Sequence, residues 1–199
     1  MLPFDLKNTV SGDTPAADAA LNARAAAQGI DCEYCGYPSR DNTALWRDGH
    51  PLHDQDDNLT VVDPFCRAWR ELNTLTADTA VMVMLPGLSA QDINHFQRTL
   101  QMALGSDEPA LREAARALLD WLTEHQSLTH SAFGCAHPGA FAAALHRTPP
   151  ERRPAVQQAW QGLAPALNPA RLPPRQDLTD LESTPAWWPL MYHHYLTHR

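Results

Sequence analysis

The sequence predicts an α+β protein: a small metal-binding domain with an N-terminal helix over residues 1–78, then a mainly helical domain over residues 79–199 that ends in a proline-rich, aromatic tail. Three observations carry this reading. Cys32 and Cys35 form a Cys-x-x-Cys, and an incomplete second pair follows at Asp63 and Cys66. The residues between the pairs are turn formers and polar groups, which bury little apolar surface, so a metal holding their ends together would supply the missing stabilisation. Beyond residue 78 the composition shifts to apolar residues at helical spacing.

Taken in order, residues 15–29 are alanine-rich and end in Gly29, as a short helix with a C-terminal glycine cap would. The cysteine region follows, with Gly36, Pro38, Asp48-Gly49 and Pro51 as turn signals and a brief β-like run at residues 59–62. Residues 79–85, TAVMVML, read as a buried strand that Pro86-Gly87 turns. Ser89 with Asp92 resembles a capping box, and Ile93, Phe96, Leu100 and Leu104 share the face of the helix it opens. A second helix is expected from Pro109 through Leu122 and a third from Pro138, carrying Phe141 and Leu145. A fourth is expected over residues 150–163, around Val156 and Trp160. Pro169, Pro173 and Pro174 argue against a long helix in the tail, where Trp187, Trp188, Tyr192 and Tyr195 cluster.

With 199 residues, 44% of them hydrophobic, the chain is long enough to fold without disulfide staples. Four cysteines, three in one stretch and the fourth at Cys135, give no paired secreted-type framework and suit a reduced compartment with metal use. The longest apolar run is broken by Pro86 and Gly87, and the first residues lack a basic region ahead of an apolar stretch. A cytoplasmic protein without membrane insertion is expected. A formal net charge of −8, with only 15 scattered Lys and Arg, opposes general affinity for nucleic acid.

The Cys-x-x-Cys is followed by Gly36, Tyr37 and Pro38, which suit a metal knuckle rather than the helix start a redox pair wants. Cys32, Cys35 and Cys66 are therefore read as zinc ligands. Asp63 occupies the slot of the missing cysteine and is the first choice for the fourth ligand, since a carboxylate is an acceptable if harder donor. His50 and His53 are the alternative fourth donors, against the blander reading of a solvated acidic loop.

With that spacing laid out, the region resembles the treble-clef, ββα-metal fold of HNH nucleases. Asp48-Gly49 matches the family's turn, Asn58-Leu59 its Asn-Leu pair, and Cys66 closes its second cysteine pair. The general-base position holds Leu45 or Trp46, neither able to take a proton from water. The histidines that would hold the catalytic metal are replaced around Arg67 and Arg70, and arginine offers a metal no lone pair. The order CEYCG, DG, NLTVVDPFC and MVMLPGLSAQDINHFQRTLQMAL further resembles the DotN (IcmJ) family of type IVB, Dot/Icm-like secretion and conjugation systems, well over residues 31–104 and more loosely beyond, including HPGAF at residues 137–141.

That resemblance implies an HNH-like domain that has lost nuclease function, with a structural Zn²⁺ and no catalytic residue. It implies a non-enzymatic adaptor that binds the cytoplasmic C-terminal tail of the coupling-protein ATPase among other coupling-complex subunits, peripheral to the inner membrane through that complex. Asp63 departs from the family pattern, which has cysteine there. The rival readings are a divergent HNH endonuclease with His50 or His53 as base and a zinc-dependent DNA-binding module.

Overall fold

The computed structural model describes residues 2–7, 15–27, 29, 31–39, 41–50 and 52–172. In it the chain is a mixed α+β protein with two small antiparallel sheets. The expected first helix is α1 (Pro15–Ala26), which sets Leu21 and Ala25 against Ala44, Leu59 and Val61. Those last residues belong to a hairpin of β1 (Thr43–Trp46) and β2 (Leu59–Val62), paired from Thr43↔Val62 to Trp46↔Leu59. All of β2 is buried, as its run of apolar and β-branched residues requires. Helix α2 (Pro64–Arg70) starts at once, because Pro64 is pre-set for a first helical position and the Asp63 carboxylate accepts the Phe65 N–H at 2.9 Å.

The run at residues 79–85 becomes β3 (Ala80–Met84), and five helices follow: α3 (Ala90–Leu104), α4 (Pro109–Glu124), α5 (Gln126–Phe133), α6 (Pro138–Arg147) and α7 (Arg153–Ala159). Both halves of the Ser89/Asp92 capping box are formed at the start of α3. The expected fourth helix is shorter than its pattern suggested. It stops at Ala159, Gly162 turns the chain at φ +87°, and β4 (Leu163–Leu167) pairs antiparallel with β3 from Ala80↔Leu167 to Met84↔Leu163. A Cβ at residue 162 would stand 3.3 Å from Pro86 Cα, so the position needs glycine twice over, for conformation and for space. Strand β4, LAPAL, is buried at every position and has no alternation, so periodicity could not separate it from a helix end.

Helix α3 carries a buried polar stripe, Asn94, Gln97 and Arg98, beside its apolar face. Gln97 completes the open edge of β4: its amide donates to the Pro165 carbonyl at 3.1 Å and its Oε1 accepts the Leu167 N–H at 2.8 Å. A proline is tolerated in this strand because its ring faces an edge that a side chain, rather than another strand, covers.

One apolar core runs through Cys32, Val62, Cys66, Trp69 and Leu72 to Met82, Ile93, Leu100, Phe141 and Leu145, unbroken across residue 78. The first residues fasten it. Phe4 stacks on Trp69 with ring centroids 4.5 Å apart and meets Trp160 edge-on at 5.7 Å, while Asp5 exchanges backbone hydrogen bonds with Trp69 and Leu72. No helix among the described residues is long and apolar enough to cross a membrane. The aromatic cluster at Trp187, Trp188, Tyr192 and Tyr195 lies outside the described residues.

Candidate metal centre

Cys32 and Cys35 sit in a tight knuckle between α1 and β1. The Cys32 N–H donates to Tyr37 O at 3.1 Å and the Gly36 N–H to Cys32 O at 2.8 Å, with Gly36 at φ +70°. The knuckle is laid on the hairpin by Glu33 N–H, which donates to Val61 O at 3.0 Å. Cys66 comes from the first turn of α2. The three sulfurs lie within 4.8 Å of one another, and among the described residues no fourth His, Cys, Asp or Glu donor joins them. A tetrahedral ion with metal–sulfur bonds of about 2.3 Å needs sulfurs about 3.8 Å apart, a spacing that falls inside this limit.

Each sulfur is met by N–H donors. Cys32 accepts from the backbone of Asp63 and Cys35, Cys35 from Arg98 Nη2 at 3.4 Å, and Cys66 from Asn94 Nδ2 at 3.3 Å. Donors of this kind orient thiolates and stabilise their charge in metal sites. Without an ion the three thiols share their protons unequally. The Cys35 and Cys66 thiols donate to Cys32 and drive its pKa well below the usual thiol range. The Cys32 sulfur in turn pushes Cys35 up to about 11 and Cys66 further still. An ion would therefore displace protons as it bound.

Asp63 is fully buried beside this cluster, and its carboxylate faces a cation. Arg98 Nη2 lies 3.1 Å from Asp63 Oδ1 and Arg98 Nε donates to Oδ2 at 3.3 Å, while Oδ1 also takes the Phe65 N–H. The guanidinium stacks over the Tyr37 ring at 4.0 Å from its centroid, and its Nη1 donates to His95 Nδ1 at 2.7 Å. Burial first, then the neighbouring guanidinium, lower the His95 pKa. Arg98 thus ties α3 to the knuckle and to the start of α2. Sequence reasoning passed over it, although Asn94, Gln97 and Arg98 at i, i+3 and i+4 beside an apolar face are the signal of a buried polar stripe.

The remaining expected positions are also placed. Leu45 is buried in the core and Trp46 packs beside Ala25, so the end of β1 carries no base. Arg67 pairs with Glu71 at 2.7 Å and Arg70 with Asp5 at 3.0 Å. His50 and His53 stand in the exposed loop between β1 and β2, apart from the cysteines, with His53 Nδ1 2.6 Å from Asp48 Oδ2. Cys135 accepts the His137 N–H on its sulfur and stands outside the group. No family model matches the chain, and no curated protein matches it.

Proposed function

We propose that this chain is a non-catalytic adaptor built on an HNH-like, treble-clef zinc domain, and that it binds the C-terminal tail of a type IV coupling-protein ATPase in a Dot/Icm-like secretion or conjugation complex. The ion is Zn²⁺, held structurally by Cys32, Cys35 and Cys66. The observation that carries the reading is the combination of a knuckle, hairpin and helix around three sulfurs with side chains unable to run hydrolysis where a nuclease needs its base and metal. Leu45 is packed in the core, and Arg67 and Arg70 are committed to carboxylates.

A docking place consistent with it is the open groove of about 290 Å³ between α2 and the end of β4, with Pro64, Ala68, Leu75, Leu167 and Leu172 as apolar lining and Arg67, Glu71 and Arg171 as charged members. An amphipathic segment would set its apolar anchors there. The test is co-purification of the native chain with the coupling ATPase from cells that express the transfer apparatus. Recovery of the complex, reduced at least tenfold by Leu172→Glu, supports the reading; a folded, zinc-loaded chain that recovers none of the ATPase overturns it.

The divergent endonuclease draws on one specific contact, the Asp48–His53 pair, which would orient an imidazole as a base. The neighbouring Asp54, Asp56 and Asp57 would repel a phosphate backbone. Absence of DNA cleavage with Mg²⁺, Mn²⁺ and Ni²⁺ eliminates it.

A further inference from the structure

The loop between β1 and β2 holds a second, unrelated arrangement of donors. It is polar, Leu52 at its tip is 80% exposed, and its order comes from hydrogen bonds rather than from apolar packing. Asp48 is the organiser. Its Oδ1 accepts the His50 N–H at 2.8 Å and Asn58 Nδ2 at 2.9 Å, and its Oδ2 meets His53 Nδ1 at 2.6 Å. Asn58 Nδ2 also donates to the His53 carbonyl at 3.0 Å, which closes the loop on itself. A carboxylate offers only acceptors to these three contacts. His53 Nδ1 is therefore the donor in that contact, which leaves Nε2 as the ring nitrogen on offer to an ion.

That Nε2 has no hydrogen-bond partner among the described residues, and neither has the His50 ring. The two rings lie with centroids 5.6 Å apart and planes at 50°. Two imidazoles bound at about 2.0–2.1 Å to one tetrahedral ion have ring centroids roughly 5 Å apart, which is nearly the spacing found. A histidine ligand almost always donates its other ring N–H to a carboxylate that is itself hydrogen-bonded, and Asp48 with Asn58 supplies that support. The next carboxylates along the loop are already engaged, with Arg24 bridging Asp54 and Asp56 at 2.6 Å each.

We propose that His50 and His53 form a surface site for a late first-row divalent cation such as Ni²⁺, with water in the remaining positions, independent of the cysteine centre and of the adaptor reading. Two neutral imidazoles select ions of this borderline class over Mg²⁺ or Ca²⁺. The ion would join two residues that apolar packing leaves free, and so stiffen the loop tip around Leu52.

The experiment is a Ni²⁺ titration of the full chain, followed by paramagnetic shift and broadening of the amide signals of residues 48–58. His193 and His194 in the tail are replaced by alanine so that they do not compete. Half-saturation should fall in the micromolar range, rise at least tenfold in His50→Ala and in His53→Ala, and rise about tenfold or more in Asp48→Asn. Mg²⁺ should give no response. These loop substitutions touch no core residue, so the remaining spectrum should stay unchanged and report an intact fold. A response that survives both histidine substitutions, an equal response to Mg²⁺, or no response below millimolar Ni²⁺ overturns the site.

Discussion

The cysteine cluster and the histidine loop are both candidate metal positions, yet they are built by opposite means. The three sulfurs are buried or half-buried, and the side chains that donate to Cys35 and Cys66 reach in from α3, far along the chain. The histidines are exposed, and all their supports lie within the same short loop. A donor set braced across the fold couples metal occupancy to global stability, whereas one braced within a loop can gain or lose an ion with the fold unmoved.

The largest effect expected from this contrast is metal removal at the cysteines. Purified protein should hold about one zinc per chain, and chelation should lower stability by about 4 kcal/mol relative to free ion at a thousandfold its Kd, measured by urea denaturation. Chelation that leaves the midpoint unchanged would place the cluster outside the stability of the fold.

Nearly as large is the loss of one member of the Asp63–Arg98 pair. Both side chains are at most 1% exposed, so Arg98→Met should cost about 3–5 kcal/mol by leaving a carboxylate buried without its cation. His53→Ala in the exposed loop should leave the midpoint within about 0.5 kcal/mol. A similar shift in the two variants would erase the contrast. Asp63→Ala also distinguishes a fourth ligand from a brace: a direct ligand would change the charge-transfer spectrum of the Co²⁺-substituted protein, while a brace would lower stability with three-thiolate absorption intact.

Gln97→Ala strips the open edge of β4 of its partners and should cost about 1–3 kcal/mol, read from the same transition. The smallest effect is a pH dependence. The His95 pKa lies below its ordinary 6.5 in the folded chain, so the native state excludes a proton that the unfolded chain accepts. Its contribution is complete above pH 6.5 and is lost as pH falls below that value. Stability measured between pH 7.5 and 5.5 should decline less steeply in His95→Gln.

Much of this was legible in residue order where a local rule acted alone. The Ser89 capping box, Pro109 as a helix start and the run of β3 each follow from a few adjacent residues, and the convergence of Cys32, Cys35 and Cys66 from their spacing, whereas helix α2, opened by Pro64, was not anticipated. Strand β4 was not legible, because its identity comes from its partner, β3, and from the side chain of Gln97. Helix α5 was missed as well, a short element whose helical bounds are set by turns at His125 and Gly134. Asp63 shows the same division within one residue. Its position in the cysteine pattern suggested a ligand, whereas its role as the cap of α2 and the cation that α3 brings to its carboxylate emerge only in the fold.

The pairing of β3 with β4 carries a mechanical consequence. The chain enters at Ala80 and leaves at Leu167, and these two residues face each other at the same end of the ladder. Tension transmitted from outside the pair would reach the rungs one at a time, starting at Ala80↔Leu167, rather than all together as in a sheared ladder. A pulling experiment with handles on residues 79 and 168 should therefore open the sheet at low force, after the bond from the Asn168 N–H to Thr79 O gives way, while the bonds from Gln97 to Pro165 and Leu167 hold β4 from its other edge.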